Sequence, residues 1–254
     1  LVSSRDRVLP GEDPDAAAVI EEVFQQRGMN VLNRARAESA CRTANGVLVT
    51  LTDGREIEGT HVLIAVGSLP NTDDLRLADV GVATDEGGLI EVDRVSRTSV
   101  RGVYAAGDCT GVNMLASVAA MQGRIAMWHA LGDTVHPLDL NTVSSTVFTD
   151  PEIATVGVSQ VDVDSGRVRA ESVMLPLSTN PRAKMQGIDH GFVKVFCRLS
   201  SRIVVGGVVV SPHASELIHA ITLAVDARLT VDQLAAAFTV YPSLSGSVAE
   251  AARR

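Results

Sequence analysis

Residues 102–111 (GVYAAGDCTG) combine residue types that could hold a ligand. Their small side chains let the backbone approach a partner closely, and one carboxylate, Asp108, follows Gly107 at the carboxyl end of a predicted strand. A helix is predicted to begin at Met114. The carboxylate can accept hydrogen bonds from sugar or polyol hydroxyls, and the free N–H groups of the helix start can face an anionic or electron-rich group. A helix cap and tight turn without a ligand fits the same pattern, so both interpretations stay open.

The elements that must position this segment begin with a helix. Asp13 and Pro14 precede the apolar residues of 16–26 and Gly28 follows them, which is typical of a capped helix ended by glycine. Strands are predicted at 30–32, 35–42, 47–51, 61–66 and 102–106, with hairpin turns at Asn45-Gly46 and Asp53-Gly54. The run 61–66 (HVLIAV) is continuously apolar, which predicts a strand buried on both faces. This order is typical of the second part of a dinucleotide-binding domain whose first strand and turn are absent.

The last part of the chain predicts a separate layer of strands and helices. A loop at residues 139–151 forms its boundary. Strands are predicted at 153–158, 172–175, 192–197 and 203–210, and helices at 214–227, 231–237 and 243–252. Strands first and helices afterwards indicate an α+β domain. The expected fold class is therefore α/β and α+β, with a Rossmann-like remainder in the first part.

Composition and charge exclude several classes of function. The 254 residues carry a formal net charge of -8 without a basic stripe, so neither nucleic acid nor an anionic membrane surface is expected as a partner. The apolar run 203–210 is far shorter than the roughly 20 residues of a membrane span, so no integral membrane segment is expected. The three cysteines, Cys41, Cys109 and Cys197, lack metal-ligand or redox-pair spacing. We expect no metal site and a reducing cytoplasmic location.

Four motifs in order resemble the flavoprotein pyridine nucleotide-disulfide oxidoreductases, which include lipoamide dehydrogenase, glutathione reductase and mercuric reductase. Residues 102–111 resemble the family's second FAD motif, and residues 61–71 (HVLIAVGSLPN) resemble its exit from the nicotinamide domain. Residues 148–157 (FTDPEIATVG) and 207–218 (GVVVSPHASELI) resemble its dimerisation domain. The sequence is most similar to a lipoamide-dehydrogenase-like member classed as an NAD(P)H quinone reductase.

The resemblance implies three domains and a homodimer. Residues 1–67 would be the C-terminal part of the NAD(P)-binding domain, 68–138 the returning FAD-binding segment, and 139–254 the dimerisation domain. The family's GxGxxG fingerprints are absent from the chain. We therefore expect the chain to be the C-terminal segment of a longer polypeptide, with a homodimer formed through residues 139–254.

The resemblance also implies residues for both cofactors, FAD and NAD(P)H. Asp108, after Gly107, would bind the ribityl chain of FAD. The backbone amides of Met114, Leu115 and Ala116 would lie near the N1 and O2 edge of the flavin, where the helix dipole stabilises negative charge. Gly67 would lie against the pyridine nucleotide, although a plain turn glycine is the alternative.

One departure from the family concerns the choice of nucleotide. Ser3 stands where NAD-preferring members have an acidic residue that binds the ribose 2'-hydroxyl. Ser4 and Arg5 follow, so no carboxylate repels a 2'-phosphate and one guanidinium could pair with it. We expect use of NADPH beside NADH. The alternative is that Arg5 is a solvated loop residue.

A second departure concerns the electron acceptor. Residues 241–246 (YPSLSG) stand where disulfide reductases have a motif like HPTxSE, whose histidine and glutamate serve thiol chemistry. Tyr241 is a poor proton shuttle for a thiolate at neutral pH because its ordinary pKa is about 10, and Gly246 has no carboxylate. We expect a quinone as the small-molecule acceptor, with Tyr241 lining its pocket or serving only in packing. The alternatives are a dithiol reductase with an altered proton donor and a noncatalytic dimerisation module.

Overall fold

The first helix, α1 (Pro14–Gln26), begins where an aspartate precedes a proline. The Asp13 carboxylate accepts hydrogen bonds from the N–H groups of Asp15 (3.0 Å) and Ala16 (3.3 Å), which have no acceptor within the helix. The predicted cap is therefore confirmed. The buried face of α1 consists of Ala16, Ala17, Ile20 and Val23.

Three short strands follow α1 in an antiparallel sheet. They are β1 (Ala37–Arg42), β2 (Val47–Leu51) and β3 (Glu56–Gly59), paired in that order. The turn signals Asn45-Gly46 and Asp53-Gly54 lie between the paired strands, so both predicted hairpins are confirmed. β3 has a single partly buried residue, Ile57, and the sequence analysis missed it.

The computed structural model describes all 254 residues and forms two compact units. One consists of Leu1–Leu63 and Ser144–Arg254, and the other of Ile64–Val143. The second unit contains turns, short 3-10 segments and one long helix, α2 (Ala116–Ala130). The assignment of cofactor roles to residues 1–67 and 68–138 stays a prediction.

The central layer of the first unit is a five-stranded antiparallel sheet with helices around it. Its strands, in the order β4-β5-β8-β7-β6, are β4 (Ser144–Val147), β5 (Glu152–Gly157), β6 (Ala170–Pro176), β7 (Phe192–Arg198) and β8 (Val204–Ser211). The helices are α3 (Gln160–Asp164), α4 (Pro181–Met185), α5 (Ala214–Asp226), α6 (Val231–Ala236) and α7 (Gly246–Arg253). The predicted strands near β5 to β8 and the helices near α5 to α7 are confirmed. This mixed architecture with two sheets confirms the predicted fold class.

Both faces of this sheet are covered by buried side chains. Successive residues of a strand point to opposite sides, so one strand contributes to both faces. On β7, Val193 and Val195 belong to the buried cluster that includes α5, α6 and α7. Phe192 and Phe196 belong to the opposite cluster, which includes Ala16 and Ile20 of α1. One strand therefore joins the two halves of the core.

Three predicted strands are wrong. Residues 61–66 form no strand, and their side chains are open, with Leu63 90% and Val66 91% exposed. The reason is that a strand needs a neighbour for its peptide groups, and no strand of the chain lies beside this run. Residues 102–106 likewise form only one isolated bridge, from Tyr104 to Arg97. Residues 30–32 also form only one, from Leu32 to Val2.

Lys194 is the one charged residue buried in β7. Its side chain is 3% exposed, and Nζ lies 3.0 and 2.8 Å from the two carboxylate oxygens of Asp13 and 2.6 Å from Oδ2 of Asp15. The ammonium also lies 5.6 Å and 6.0 Å from the ring centroids of Phe192 and Phe196. Such a charge is tolerated inside a protein only when it is paired and hydrogen-bonded. The pair therefore fixes the N-terminus of α1 on the sheet.

Replacing Lys194 with Met should lower the free energy of unfolding by about 3–5 kcal/mol, because the buried Asp13 carboxylate loses its counter-ion. Urea denaturation of the protein measures this change. The matched control is Arg202→Met, which removes the exposed Arg202–Asp232 pair and should lower the free energy of unfolding far less, because solvent screens an exposed pair. Equal losses in the two variants would contradict the role given to Lys194.

Candidate functional site

The turn around Asp108 has an unusual backbone and a free carboxylate. Gly107 adopts a φ of 94° and a ψ of -165°, a conformation that residues with a side chain rarely take. A Cβ there would meet only ordinary contact with Ala119, at 3.5 Å, so the backbone conformation rather than lack of space requires glycine. Asp108 begins a 3-10 turn that ends at Thr110, and its exposed carboxylate makes no hydrogen bond or ion pair within the chain. The carboxylate is therefore free to accept hydrogen bonds from a ligand.

The start of α2 offers backbone donors. The helix has no side-chain cap, and its first backbone bond runs from the N–H of Ala119 to the carbonyl of Leu115. The N–H groups of residues 116–118 thus have no acceptor within the helix. The N–H of Leu115 is different, because it donates to the carbonyl of Asn113 at 2.8 Å. Of the amides expected near the flavin, the N–H of Ala116 is free and the N–H of Leu115 is already paired. The residue Met114 is half exposed.

Gln122 joins the turn to the helix, and the sequence analysis missed it. It is 2% exposed, and its side-chain oxygen accepts the N–H of Gly107 at 2.8 Å while its nitrogen donates to Thr110 Oγ1 at 3.2 Å. A signal was present, since Gln122 is the one polar residue on a buried helix face otherwise made of Val118, Ile125 and Ala126. These contacts join the turn that contains Asp108 to α2, whose uncapped start lies two helical turns before Gln122.

The candidate nucleotide residues lie elsewhere. Ser4 and Arg5 are exposed in the loop before α1, and the guanidinium of Arg5 makes no ion pair, whereas Asp6 pairs with Arg34 at 2.9 Å. Ser3 Oγ accepts the N–H of Arg5 at 3.2 Å. The loop thus leaves one unpaired cation exposed.

Gly67 lies in the second unit, whereas Ser4 and Arg5 lie in the first. Its φ is 133°, and a Cβ would meet nothing within 4 Å. This positive φ favours glycine at position 67.

Tyr241 lies in an exposed segment of the first unit, and the residues that follow it are hydrogen-bonded to Asn180. Its side chain is 82% exposed and has no hydrogen-bond partner in the chain. Nearby, the buried Asn180 donates from Nδ2 to the carbonyl of Ser243 (2.9 Å) and to Ser247 Oγ (2.7 Å). Its Oδ1 accepts the N–H of Arg182 at 2.7 Å and caps α4. Asn180, also missed by the sequence analysis, therefore holds the chain two residues after Tyr241.

A cavity of about 680 Å³ lies on the second unit, away from Asp108. Its lining includes Arg97, Arg101, Tyr104 and His129, and the Tyr104 hydroxyl lies 2.8 Å from His129 Nδ1. Opposite charges from Glu91 and Asp93 also line it, and Arg97 is already paired with Asp93. The cavity therefore has no single charge preference, and the Asp108 turn stays the better candidate site.

The structure contains no group of three or more side chains that could hold a metal ion. None of its helices combines the length and the apolar character needed to cross a membrane.

The fold and the site together define a class of protein. The family model of the pyridine nucleotide-disulphide oxidoreductases matches residues 1–123, and the model of the dimerisation domain of the same proteins matches residues 143–252. The chain belongs to this family, which confirms the resemblance found in the sequence.

Individual relatives narrow the comparison. NAD(P)H dehydrogenase (quinone) of Mycobacterium tuberculosis is 60% identical over 254 residues, which cover 100% of this chain and 52% of the relative. The crystal structure of LpdA from Mycobacterium tuberculosis, also 60% identical, matches with a TM-score of 0.94 over 99% of this chain and 55% of that chain. Dihydrolipoyl dehydrogenase of Geobacillus stearothermophilus is 31% identical over 257 residues, covering 99% of this chain and 54% of the relative. The chain spans about half the length of the curated relatives it matches.

The cysteines differ in their surroundings, and all three are free thiols. Burial, together with a hydrogen bond from Sγ to a carboxylate oxygen of Glu171, raises the pKa of Cys197 to about 11. Cys41 is exposed on β1. Because the thiolate is the reactive form, a raised pKa leaves Cys197 protonated and inert at neutral pH.

Thiol labelling with DTNB at pH 8 should therefore modify Cys41 in the folded protein and Cys197 only after unfolding. The partly exposed Cys109 is first replaced by Ser, and in that background the variants Cys41→Ser and Cys197→Ser identify the two phases. The fast phase should disappear in Cys41→Ser and persist in Cys197→Ser, and the reverse result would refute the assignment.

Proposed function

We propose that this chain belongs to an FAD-dependent NAD(P)H dehydrogenase that passes electrons to a quinone-type acceptor. The observation that carries the proposal is the free carboxylate of Asp108, in a turn that Gln122 joins by hydrogen bonds to the helix with the uncapped start. The 60% identity to a protein named NAD(P)H dehydrogenase (quinone) supports the same activity.

The residues of the second unit fit FAD. Asp108 would accept hydrogen bonds from the ribityl hydroxyls, and its exposed, unpartnered carboxylate suits that role. The free N–H groups at the start of α2, beginning with Ala116 beside Met114, would face the pyrimidine edge of the flavin, where the helix dipole favours negative charge. When bound, FAD takes two electrons from NAD(P)H and passes them to the acceptor.

The proposed nucleotide residues are Ser4, Arg5 and Gly67. The unpaired guanidinium of Arg5 suits a 2'-phosphate, since arginine forms strong charge-assisted hydrogen bonds with phosphate oxygens. Gly67 would allow the nucleotide to approach its backbone closely. These features favour use of NADPH beside NADH.

The choice of a quinone as acceptor rests on two side chains that residues 241–246 lack, a histidine and a glutamate. Neither Tyr241 nor Gly246 can replace a histidine and glutamate in moving protons for thiols at neutral pH. A quinone needs no such relay, because its protons can come from water. Tyr241 would line the acceptor pocket, and a packing role alone is the alternative.

A homodimer through residues 139–254 is part of the proposal. The dimerisation-domain match supports it. Phe238 and Val240 are also fully or largely exposed beside Tyr241, and an apolar segment of this kind is typical of a surface covered by a second copy. The three free thiols suit a reducing cytoplasm.

The test uses the holoenzyme with three measurements. A yellow protein with flavin absorbance is expected, together with oxidation of NADPH that depends on menadione and negligible turnover of lipoamide or glutathione. Disulfide turnover exceeding menadione turnover would favour the dithiol reductase instead. A protein that binds no flavin would support a noncatalytic dimerisation module.

Replacing Arg5 with Ala should raise KM for NADPH about tenfold or more, because a hydrogen bond to a charged group is worth about 1.5–3 kcal/mol. KM for NADH should stay unchanged, since NADH has no 2'-phosphate. Steady-state kinetics with both nucleotides measures the difference, and Arg42→Ala, which removes an exposed arginine of β1, is the control. Equal efficiency of wild type and Arg5→Ala with NADPH would remove Arg5 from the site.

A further inference from the structure

The two parts of the proposed FAD site come from different stretches of the chain. Asp108 lies in a turn after Gly107, and the uncapped helix start lies at Ala116. A flavin bound by both would require them to keep a fixed separation. The loop of residues 111–115 between them includes an exposed Met114 and is not regular structure.

Gln122 supplies the missing connection through a closed set of hydrogen bonds. A backbone N–H can only donate, so the 2.8 Å contact with Gly107 identifies the facing side-chain atom of Gln122 as the oxygen. The nitrogen then faces Thr110 Oγ1 at 3.2 Å, and the Thr110 hydroxyl donates to the carbonyl of Gly107 at 2.8 Å. The turn is therefore held at both of its ends by one side chain.

The position of Gln122 within α2 relates the turn to the start of that helix, because a helix is rigid over two turns. It lies seven residues after Leu115, which is two helical turns, and side chains in a helix point back toward its N-terminus. The amide is buried among Val118, Ile125 and Ala126, where an apolar side chain would pack without the cost of burying polar atoms. Packing alone therefore does not account for a glutamine here.

We propose that Gln122 is a positioning residue of the FAD site, which holds the Asp108 carboxylate at a fixed place relative to the N-terminus of α2. Gln122 itself does not touch the cofactor. It acts by keeping the carboxylate and the helix amides prearranged, so that FAD binds without ordering the turn. This inference rests on the proposed function, because it assumes that FAD binds at Asp108.

The test compares FAD release from the holoenzyme variants Gln122→Met, Gln122→Glu and Ile125→Ala. Met has a similar length and no strong hydrogen-bonding group, so Gln122→Met should release FAD at least tenfold faster than wild type, as followed by flavin fluorescence after dilution. The visible circular dichroism of the remaining bound flavin should also change. Gln122→Glu keeps an oxygen for the N–H of Gly107 and should restore much of the slow release.

Ile125→Ala is the matched control, since Ile125 is buried on the same face of α2. It should lower thermal stability while leaving FAD release and the flavin spectrum near those of wild type. Equally fast release from Ile125→Ala and Gln122→Met at equal loss of stability would overturn the inference, because the effect would then be general loosening of the helix.

The remaining outcomes are also decisive. If the wild-type protein binds no FAD, the proposed function is wrong. If the wild-type protein binds FAD and Gln122→Met releases it at the wild-type rate, only the role of Gln122 is overturned. If Gln122→Met does not fold, Thr110→Val decides, because it breaks the Thr110 contacts and leaves Gln122 in place. It should speed release several-fold, and release at the wild-type rate would overturn the inference.

Discussion

The five-stranded sheet of the first unit depends on being covered on both faces. β7 has Val193 and Val195 on one side and Phe192 and Phe196 on the other, so neither face can be left to water. Helices α5 to α7 cover one side, and α1, from the other end of the sequence, covers the opposite side. Lys194 makes the second contact specific, because its charge can be buried only where Asp13 and Asp15 meet it. One aspartate therefore both starts a helix and fixes where that helix lies.

The second unit differs from the first, because its candidate site depends on polar groups that stay free rather than paired. Asp108 keeps an unpartnered carboxylate and α2 keeps an uncapped start, and both would normally be satisfied within the protein. The glutamine beneath them takes up the polar groups that must be satisfied, namely the N–H of Gly107 and the hydroxyl of Thr110. The buried polar atoms are therefore hydrogen-bonded within the chain, whereas the polar groups at the surface stay free for a ligand, as a binding site requires.

Local signals in the sequence predicted much of this fold. The Asp13 cap, the two hairpins and the strands near β5 to β8 depend on residues close together in the chain, and all are present. The short elements β3, β4, α3 and α4 were missed because few of their residues carry an apolar pattern. The runs at 61–66 and 102–106 failed for the opposite reason, since their pattern is strong but the chain supplies no neighbouring strand.

The candidate site likewise has local features that the sequence could predict and long-range contacts that it could not. The Asp108 turn could be found from residue type and spacing, and the family resemblance gave it a ligand. Gln122 and Asn180 could not be found in this way, because each contacts residues 12 to 15 or 63 to 67 positions away, and nothing local marks those partners.

The bare run at residues 61–66 has a consequence for the behaviour of this chain in solution. It consists of a histidine followed by five apolar residues without a proline or a fixed charge, and Leu63 and Val66 are almost fully exposed. Segments of this composition with unpaired peptide groups are templates for intermolecular β-pairing and aggregation. Other polypeptide must therefore shield this run for the chain to stay dispersed at high concentration.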